Sequence, residues 1–143
     1  MTASNIERFD RIVALVLGDL YTSFPCPVRL LASSYIENAL AHDDDIGAEV
    51  MTESGEFFNH TMNWLDQAGY LQMQSIHTLS GTARGVVLTA KGLEALRAVP
   101  ASLEGQASLG ERLIEQTKIN SGEGIKALMG EVIGLAVRGV AGM

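Results

Sequence analysis

Histidine and carboxylate side chains, which serve as metal ligands and as general acids and bases, concentrate in the run His42-Asp43-Asp44-Asp45. This spacing matches neither the calcium loop of an EF-hand nor a His-Glu-x-x-His zinc helix. His60 offers a second imidazole, but the sequence places no third ligand beside the pair. We therefore interpret the run as a solvated acidic loop and predict no metal and no other cofactor.

Covalent catalysis has no candidate residue either. Cys26, the single cysteine, lies between two prolines, and Arg29 is the only nearby cation that could stabilise its thiolate. We interpret Cys26 as a small buried hydrophobic residue rather than a redox sensor. No Ser, His and Asp arrangement and no glycine-rich phosphate loop after a strand stands out. The sequence therefore predicts a protein that is not an enzyme and has no catalytic residues.

Three aromatic residues, Phe57, Phe58 and Trp64, fall on one predicted helix. They could line a ligand pocket or a partner site. Apolar residues that recur at helical spacing more often face the core. We therefore predict that all three are core residues.

The charge balance limits the classes of partner. The chain of 143 residues has 17 acids against 10 Lys and Arg, a net charge of −7. Because nucleic-acid affinity comes largely from neutralising phosphates, this balance excludes a protein that coats nucleic acid. The N terminus has no basic segment followed by an apolar stretch, and the last apolar segment carries Lys126, Glu131 and Arg138. We therefore predict a cytoplasmic protein without a membrane span.

Apolar periodicity, caps and breakers divide the chain into elements. A capping box at Ser4 and Glu7 begins the first helix, Ser54 and Thr89 cap later helices, and Gly69 ends the helix before it. The predicted helices are residues 4–21, 33–41, 55–68, 90–99, 111–120 and 125–140; the predicted strands are 28–31, 70–79 with a bulge, and 86–88; residues 42–52 are predicted as loop, 80–85 as a hairpin tip and 101–110 as a connector. The fold class is therefore α+β, mainly α.

Two of these segments resemble the winged-helix (winged helix-turn-helix) domain of many bacterial regulators. Trp64–Leu71 resembles the end of a third helix that turns through a glycine into the first wing strand, and Leu88–Leu96 resembles the second wing strand and the helix after it. The resemblance covers residues 4–99. It implies a winged helix with a two-stranded hairpin wing over residues 1–100, followed by a C-terminal helical extension at 101–143.

The resemblance also implies that the third helix enters the major groove of DNA and that the wing tip contacts the phosphate backbone. The residues of this chain depart from that role. From Leu30 to Ala83 there is no Lys or Arg, whereas there are eight acids. The candidate DNA-binding residues are Asn59, His60, Asn63, Gln67 and Arg84. Amides can read adenine, but they supply none of the electrostatic affinity.

The last predicted helix has an apolar face for nearly its whole length. Its members are Ile125, Leu128, Met129, Val132, Ile133, Ala136, Val137 and Val140. The first helix of the same chain or a second copy of the protein could cover this face. Winged-helix regulators commonly dimerise through added helices, so the resemblance implies a homodimer in which this face is the oligomer interface.

Three classes of function follow from these observations. The leading prediction is a dimeric, non-enzymatic regulatory or protein-interaction module whose acidic winged-helix face contacts an unknown protein. The alternative is a winged-helix transcriptional regulator that binds DNA weakly. A structural module within a larger assembly is a third class.

Overall fold

A long helix, α1, packs against α2, α4, α5 and β6. In chain order the elements are α1 (Asn5–Ser23), β1 (Val28–Leu31), a single 3₁₀ turn (Ala32–Ser34), β2 (Leu40–Asp43), β3 (Ala48–Met51), α2 (Glu53–Ala68), β4 (Leu71–Gln72), β5 (Ser75–His77), β6 (Thr82–Leu88), α3 (Ala90–Arg97), α4 (Leu109–Lys118) and α5 (Gly122–Ala141). The structure is a computed structural model that describes residues 4–97, 108–119 and 122–141, with the backbone alone for 134–141. It has the predicted α+β class.

The helix ends follow local capping chemistry. Ser4 accepts a hydrogen bond from the Glu7 amide at 3.2 Å, which confirms the predicted start of α1. Gly69 ends α2 with a φ of 88°, a left-handed conformation that favours glycine. Thr89 caps α3 by accepting from the Gly92 amide at 3.1 Å. These three predicted caps are confirmed.

Two other helices begin differently from the prediction. Thr52, not Ser54, caps α2, because the Thr52 hydroxyl accepts from the Gly55 amide at 3.1 Å. Ser108 caps α4 by accepting from the Glu111 amide at 3.2 Å, so this helix begins two residues earlier than predicted. Each cap has a hydroxyl three residues before the amide that donates to it, which is the spacing of a helix N-terminus.

The main sheet is antiparallel and has the order β1-β6-β4, with β5 also pairing with β6. The register joins Val28 to Val86 but Leu30 to Ala83, so Arg29 lies opposite two residues of β6. This arrangement is a bulge, and Gly85 adopts a φ of 64° within it. The bulge that we predicted in residues 70–79 thus lies in the strand opposite, and that segment forms two short strands, β4 and β5.

The hairpin tip also lies earlier in the chain than predicted. His77 pairs with Thr82, and the Gly81 amide donates to the His77 carbonyl at 2.8 Å. The turn therefore consists of residues 78–81 rather than 80–85. Arg84 lies inside β6, paired with Ser75, and the prediction that it occupies the wing tip is wrong.

The predicted helix at residues 33–41 is absent. A 3₁₀ turn is followed by a hairpin of β2 and β3, in which Asp43 pairs with Ala48. The Asp43 carboxylate accepts from the Asp45 amide at 2.9 Å and its carbonyl accepts from the Gly47 amide at 2.8 Å. Aspartate and glycine stabilise such a turn, so the run predicted as loop is a strand end and a tight turn. The fold therefore lacks the second helix of the predicted helix-turn-helix.

The C-terminal helices α4 and α5 pack against α1. Leu109 and Leu113 of α4 belong to the same hydrophobic core as Leu17 of α1 and Phe58 of α2. The Tyr21 and Ser108 hydroxyls also lie 3.2 Å apart, within hydrogen-bond distance. The predicted units, residues 1–100 and 101–143, thus share one hydrophobic core among the described residues.

The apolar face of α5 is covered by its own chain. Ile125, Leu128, Met129 and Val132 are all less than 4% exposed, and Ile133 packs partly buried against the core. The apolar surface of these five residues is already removed from water in one chain, so their assignment to an oligomer interface is corrected to intrachain packing. The side chains of Ala136, Val137 and Val140 lie outside the described part of the chain.

No helix in the described ranges is both long enough and apolar enough to cross a membrane.

Candidate interaction surface

Carboxylates dominate one continuous part of the chain, from Leu30 to Ala83. We call the eight acids of this stretch the acidic surface: Glu37, Asp43, Asp44, Asp45, Glu49, Glu53, Glu56 and Asp66. All are exposed except Asp43, which is half-buried. Because the stretch contains no Lys or Arg, its carboxylates have few cationic neighbours of their own. Among the described residues, the ion pairs to this surface come from Arg8 and His42.

The hairpin of β2 and β3, residues 40–51, is the most exposed part of this surface. We call it the acidic hairpin. In the described part of the chain, its two strands pair only with each other, and most of its side chains are exposed. Thr52 closes the base of the hairpin: its amide donates to the Ala39 carbonyl at 2.9 Å and its hydroxyl donates to the Asn38 carbonyl at 2.6 Å.

The end of the acidic hairpin combines three aspartates with an imidazole. The His42 Nε2 atom lies 3.3 Å from an Asp44 oxygen, and its Nδ1 atom lies 3.7 Å from a Glu49 oxygen. All three side chains are more than half exposed. Within the described ranges, no group of three or more His, Cys, Asp or Glu residues has the arrangement of a metal site. These carboxylates can instead pair with the Lys or Arg side chains of another molecule.

The predicted DNA-binding residues do not form one surface. Asn59 is only 5% exposed, and its Nδ2 atom donates to the Thr78 carbonyl at 2.9 Å. It therefore joins α2 to the turn between β5 and β6 and is unavailable to read a base. His60 and Gln67 are exposed and Asn63 is half-buried.

The exposed residues of α2 also include three acids. Glu53, Glu56 and Asp66 lie on the same helix as His60 and Gln67. The mostly exposed carboxylates would oppose the approach of DNA phosphates. Arg8, which approaches the start of α2, lies 3.7 Å from a Glu53 oxygen and 4.2 Å from the centre of the Phe57 ring.

The aromatic residues of α2 are only partly core. Phe58 is fully buried, whereas Trp64 is 43% exposed. The Trp64 ring meets the Phe9 ring edge-on at 5.2 Å and stacks on Tyr70 at 5.9 Å. Lys91 lies 4.7 Å from the Tyr70 ring and donates to the Ala68 carbonyl at 2.8 Å. The prediction that Trp64 is a core residue is therefore wrong, because the indole lies at the edge of the core.

Cys26 is exposed, so its assignment as a buried hydrophobic residue is also wrong. Phe24, Pro25 and Pro27 on either side are exposed as well. The segment that ends α1 thus crosses the surface before β1 begins. Its apolar composition suggested burial, whereas residues 24–27 are all exposed.

A cleft between the first turns of α1 and α5 was not found from the sequence. Its volume is about 470 Å³, and charges of both signs line it: Glu7, Arg8, Asp10, Arg11, Glu123 and Lys126. Burial raises the pKa of Asp10, and the charge of nearby Lys126 opposes this shift. Sequence patterns held no signal for this cleft because its two walls are far apart along the chain.

Comparisons with models of protein families, with curated proteins and with solved structures found no match to this chain.

Proposed function

We propose that this protein is a non-enzymatic interaction module that presents its acidic surface to a basic region of a partner protein. The observation that carries the proposal is the exposure of the acidic hairpin. Exposed carboxylates without cations between them create a negative potential that attracts and orients a positively charged partner.

The proposal includes a relationship to winged-helix domains. Its support is the pairing of β1 with β6 and the hairpin of β5 and β6, flanked by α1, α2 and α3. In chain order the acidic hairpin comes between β1 and α2, the place that the second helix takes in a winged helix. An acidic hairpin in place of the second helix favours a protein partner, because its carboxylates repel DNA phosphates and attract basic side chains.

DNA binding by the same face is a weaker candidate. Of its five predicted contacts, Asn59 is buried and Arg84 lies within a strand, away from the turn. The remaining contacts, His60, Asn63 and Gln67, supply little electrostatic affinity for phosphates. Duplex binding that weakens steeply with salt and is lost in Arg84→Glu would favour this alternative instead.

The test compares two variants of equal charge. The hairpin triple variant carries Asp44→Asn, Asp45→Asn and Glu49→Gln. It removes three exposed carboxylates and leaves Asp43, which accepts the turn hydrogen bond. The protein and its variants are immobilised, proteins from a lysate of the native organism are captured and identified, and each identified protein is purified for a direct binding measurement.

The control triple variant carries Glu94→Gln, Glu115→Gln and Glu123→Gln. These residues are exposed and lie outside the acidic surface, so the net charge changes equally. We expect affinity for a basic partner to fall about tenfold in the hairpin triple variant and less than about twofold in the control. Equal losses in both variants, or no partner that depends on the hairpin acids, would contradict the proposal.

A further inference from the structure

We propose that the outer edge of β2 in the acidic hairpin binds an extended, lysine- or arginine-bearing segment of the partner protein, which joins the hairpin as a third strand. This inference rests on the proposed function and adds the way in which the partner docks. The unpaired edge of β2 allows a strand to be added, and the acidic side chains around it favour a cationic segment.

The backbone of β2 has an unpaired edge among the described residues. At the base of the hairpin the Thr52 amide donates to the Ala39 carbonyl, so these residues form a hydrogen-bonded pair. Along an antiparallel ladder such pairs alternate with pairs whose amide and carbonyl groups point outward. The register continues without a break over the hairpin, so Leu40 and His42 direct their backbone groups to the outer edge of β2.

The edge of β3 is less open than that of β2. The helix α2 packs against β3. At the base of the hairpin a Cβ atom on Gly55 would overlap both the Met51 sulfur and the Ala39 carbonyl oxygen, so there both strands lie close to α2. The β2 edge is therefore the more accessible template for an added strand. Main-chain hydrogen bonds supply affinity in this mode of binding, and side chains beside the edge supply specificity.

The charge beside this edge specifies a cationic segment. Asp43, Asp44, Asp45 and Glu49 all belong to the acidic hairpin, and His42 is the only basic side chain in it. A Lys or Arg side chain on an added strand would be a cross-strand neighbour of Asp43, which lies in β2, and the next such side chain would approach Asp44 and Asp45 in the adjoining turn. A cationic strand therefore gains both backbone hydrogen bonds and charge pairing.

The same charges disfavour a second copy of the protein at this edge. Pairing two acidic hairpins edge to edge would bring their carboxylates together, and like charges on neighbouring strands are destabilising. Charged residues beside a free edge are a common protection against such self-pairing. The occupant is therefore a segment of a different, basic protein.

The experiment uses the whole protein, labelled with ¹⁵N, and two synthetic peptides. The first is a short peptide of alternating lysine and valine; the second has the same sequence with every backbone amide N-methylated. N-methylation keeps the charge and removes the backbone donors. Binding constants come from titration, and hydrogen exchange is followed at the His42 amide.

We expect the first peptide to bind and to slow exchange of the His42 amide about tenfold or more. Affinity should fall about tenfold for the N-methylated peptide and about tenfold in the hairpin triple variant, but less than about twofold in the control triple variant. Equal binding of both peptides, or unchanged exchange at His42, would overturn strand addition while leaving charge-based recognition intact. Failure of both peptides to bind, or equal losses in both triple variants, would overturn the proposed function together with this inference.

Discussion

Single polar side chains join the surface segments of this protein to its helices. Asn59 bonds α2 to the turn between β5 and β6, and Tyr35 donates to the Asp19 carboxylate of α1 at 2.5 Å. The Tyr35 ring also stacks on Phe58 at 5.7 Å. These contacts link segments that are distant in sequence, so their loss should be measurable as a loss of stability.

Asn59→Ala should lower the free energy of unfolding by about 1 kcal/mol, because a buried side-chain hydrogen bond is lost. Asn63→Ala is the matched control on the same helix, and we expect it to change stability by less than about 0.5 kcal/mol. Urea denaturation of the three proteins measures both values. Equal stability of Asn59→Ala and the parent would mean that this side chain makes no net contribution to folding, since its buried Oδ1 atom has no hydrogen-bond partner.

Tyr35 should make stability depend on alkaline pH. Burial, followed by the hydrogen bond to Asp19 and the charge of that carboxylate, raises its pKa above the ordinary tyrosine value of 10.0. The unfolded chain therefore loses this proton first, and stability decreases as the pH rises above that ordinary value. Tyr35→Phe lacks this contribution.

Denaturation of Tyr35→Phe and the parent between about pH 8 and about pH 11 tests this dependence. At the lower pH we expect the parent to be more stable by about 1 kcal/mol, the value of a typical hydrogen bond. That advantage should shrink at the higher pH. A constant difference across the range would show that Tyr35 does not contribute to the pH dependence.

At the scale of elements, the close approach of α3 to the start of β4 depends on a residue without a side chain. A Cβ atom on Gly92 would overlap the Tyr70 carbonyl oxygen, which belongs to the backbone and cannot move aside cheaply. Thr89, the cap of α3, also donates to the Gly69 carbonyl, so both helix start and strand start are held at this corner. The corner therefore joins the start of β4 to the end of β6 and the start of α3.

Gly92→Ala should destabilise the protein by about 2 kcal/mol, within the usual range for overpacking. Gly130→Ala is the opposite case, because Gly130 lies in α5 and nothing meets a Cβ atom placed there. We expect this substitution to stabilise the protein by about 0.5–1 kcal/mol through helix propensity. Thermal unfolding distinguishes the two signs, and stabilisation by Gly92→Ala would contradict the close approach.

At the scale of the whole molecule, the charges are segregated along the chain. The acidic surface holds eight of the 17 acids, while all ten Lys and Arg lie outside the stretch from Leu30 to Ala83. The helices α1, α4 and α5 join in the core and carry most of the cations, and the acidic hairpin projects from the acidic stretch. A basic partner is therefore attracted more strongly to this stretch than to helices of mixed charge.

Leu128→Ala tests the place of α5 in the whole molecule. Leu128 is 3% exposed within one chain, and truncation of such a residue costs about 2–5 kcal/mol. We expect a lower melting temperature and an unchanged sedimentation mass. A variant that keeps its melting temperature but changes from dimer to monomer would instead restore the predicted oligomer interface.

The sequence by itself determined the local features. Ser4, Gly69 and Thr89 act through hydrogen bonds within four residues or through their own φ angle, so their types alone identify helix ends. The spacing of apolar residues in α1, α2 and α5 likewise indicates which residues share one face of each helix. The acidic stretch from Leu30 to Ala83 is evident from residue composition alone.

Only the tertiary structure decided which part of the protein packs over each helix or strand face. Leu128 is equally apolar whether α1 or a second copy lies over it, and the polar type of Asn59 suits a base reader as well as a buried link. Residues 40–51 form a hairpin and no helix covers residues 33–41, although their spacing allowed one, because turn hydrogen bonds and the contact of Met51 with α2 outweigh weak local propensity. Burial depends on neighbours that are distant in sequence. The apolar pattern of one sequence shows which residues must be buried, but not which surface packs against them.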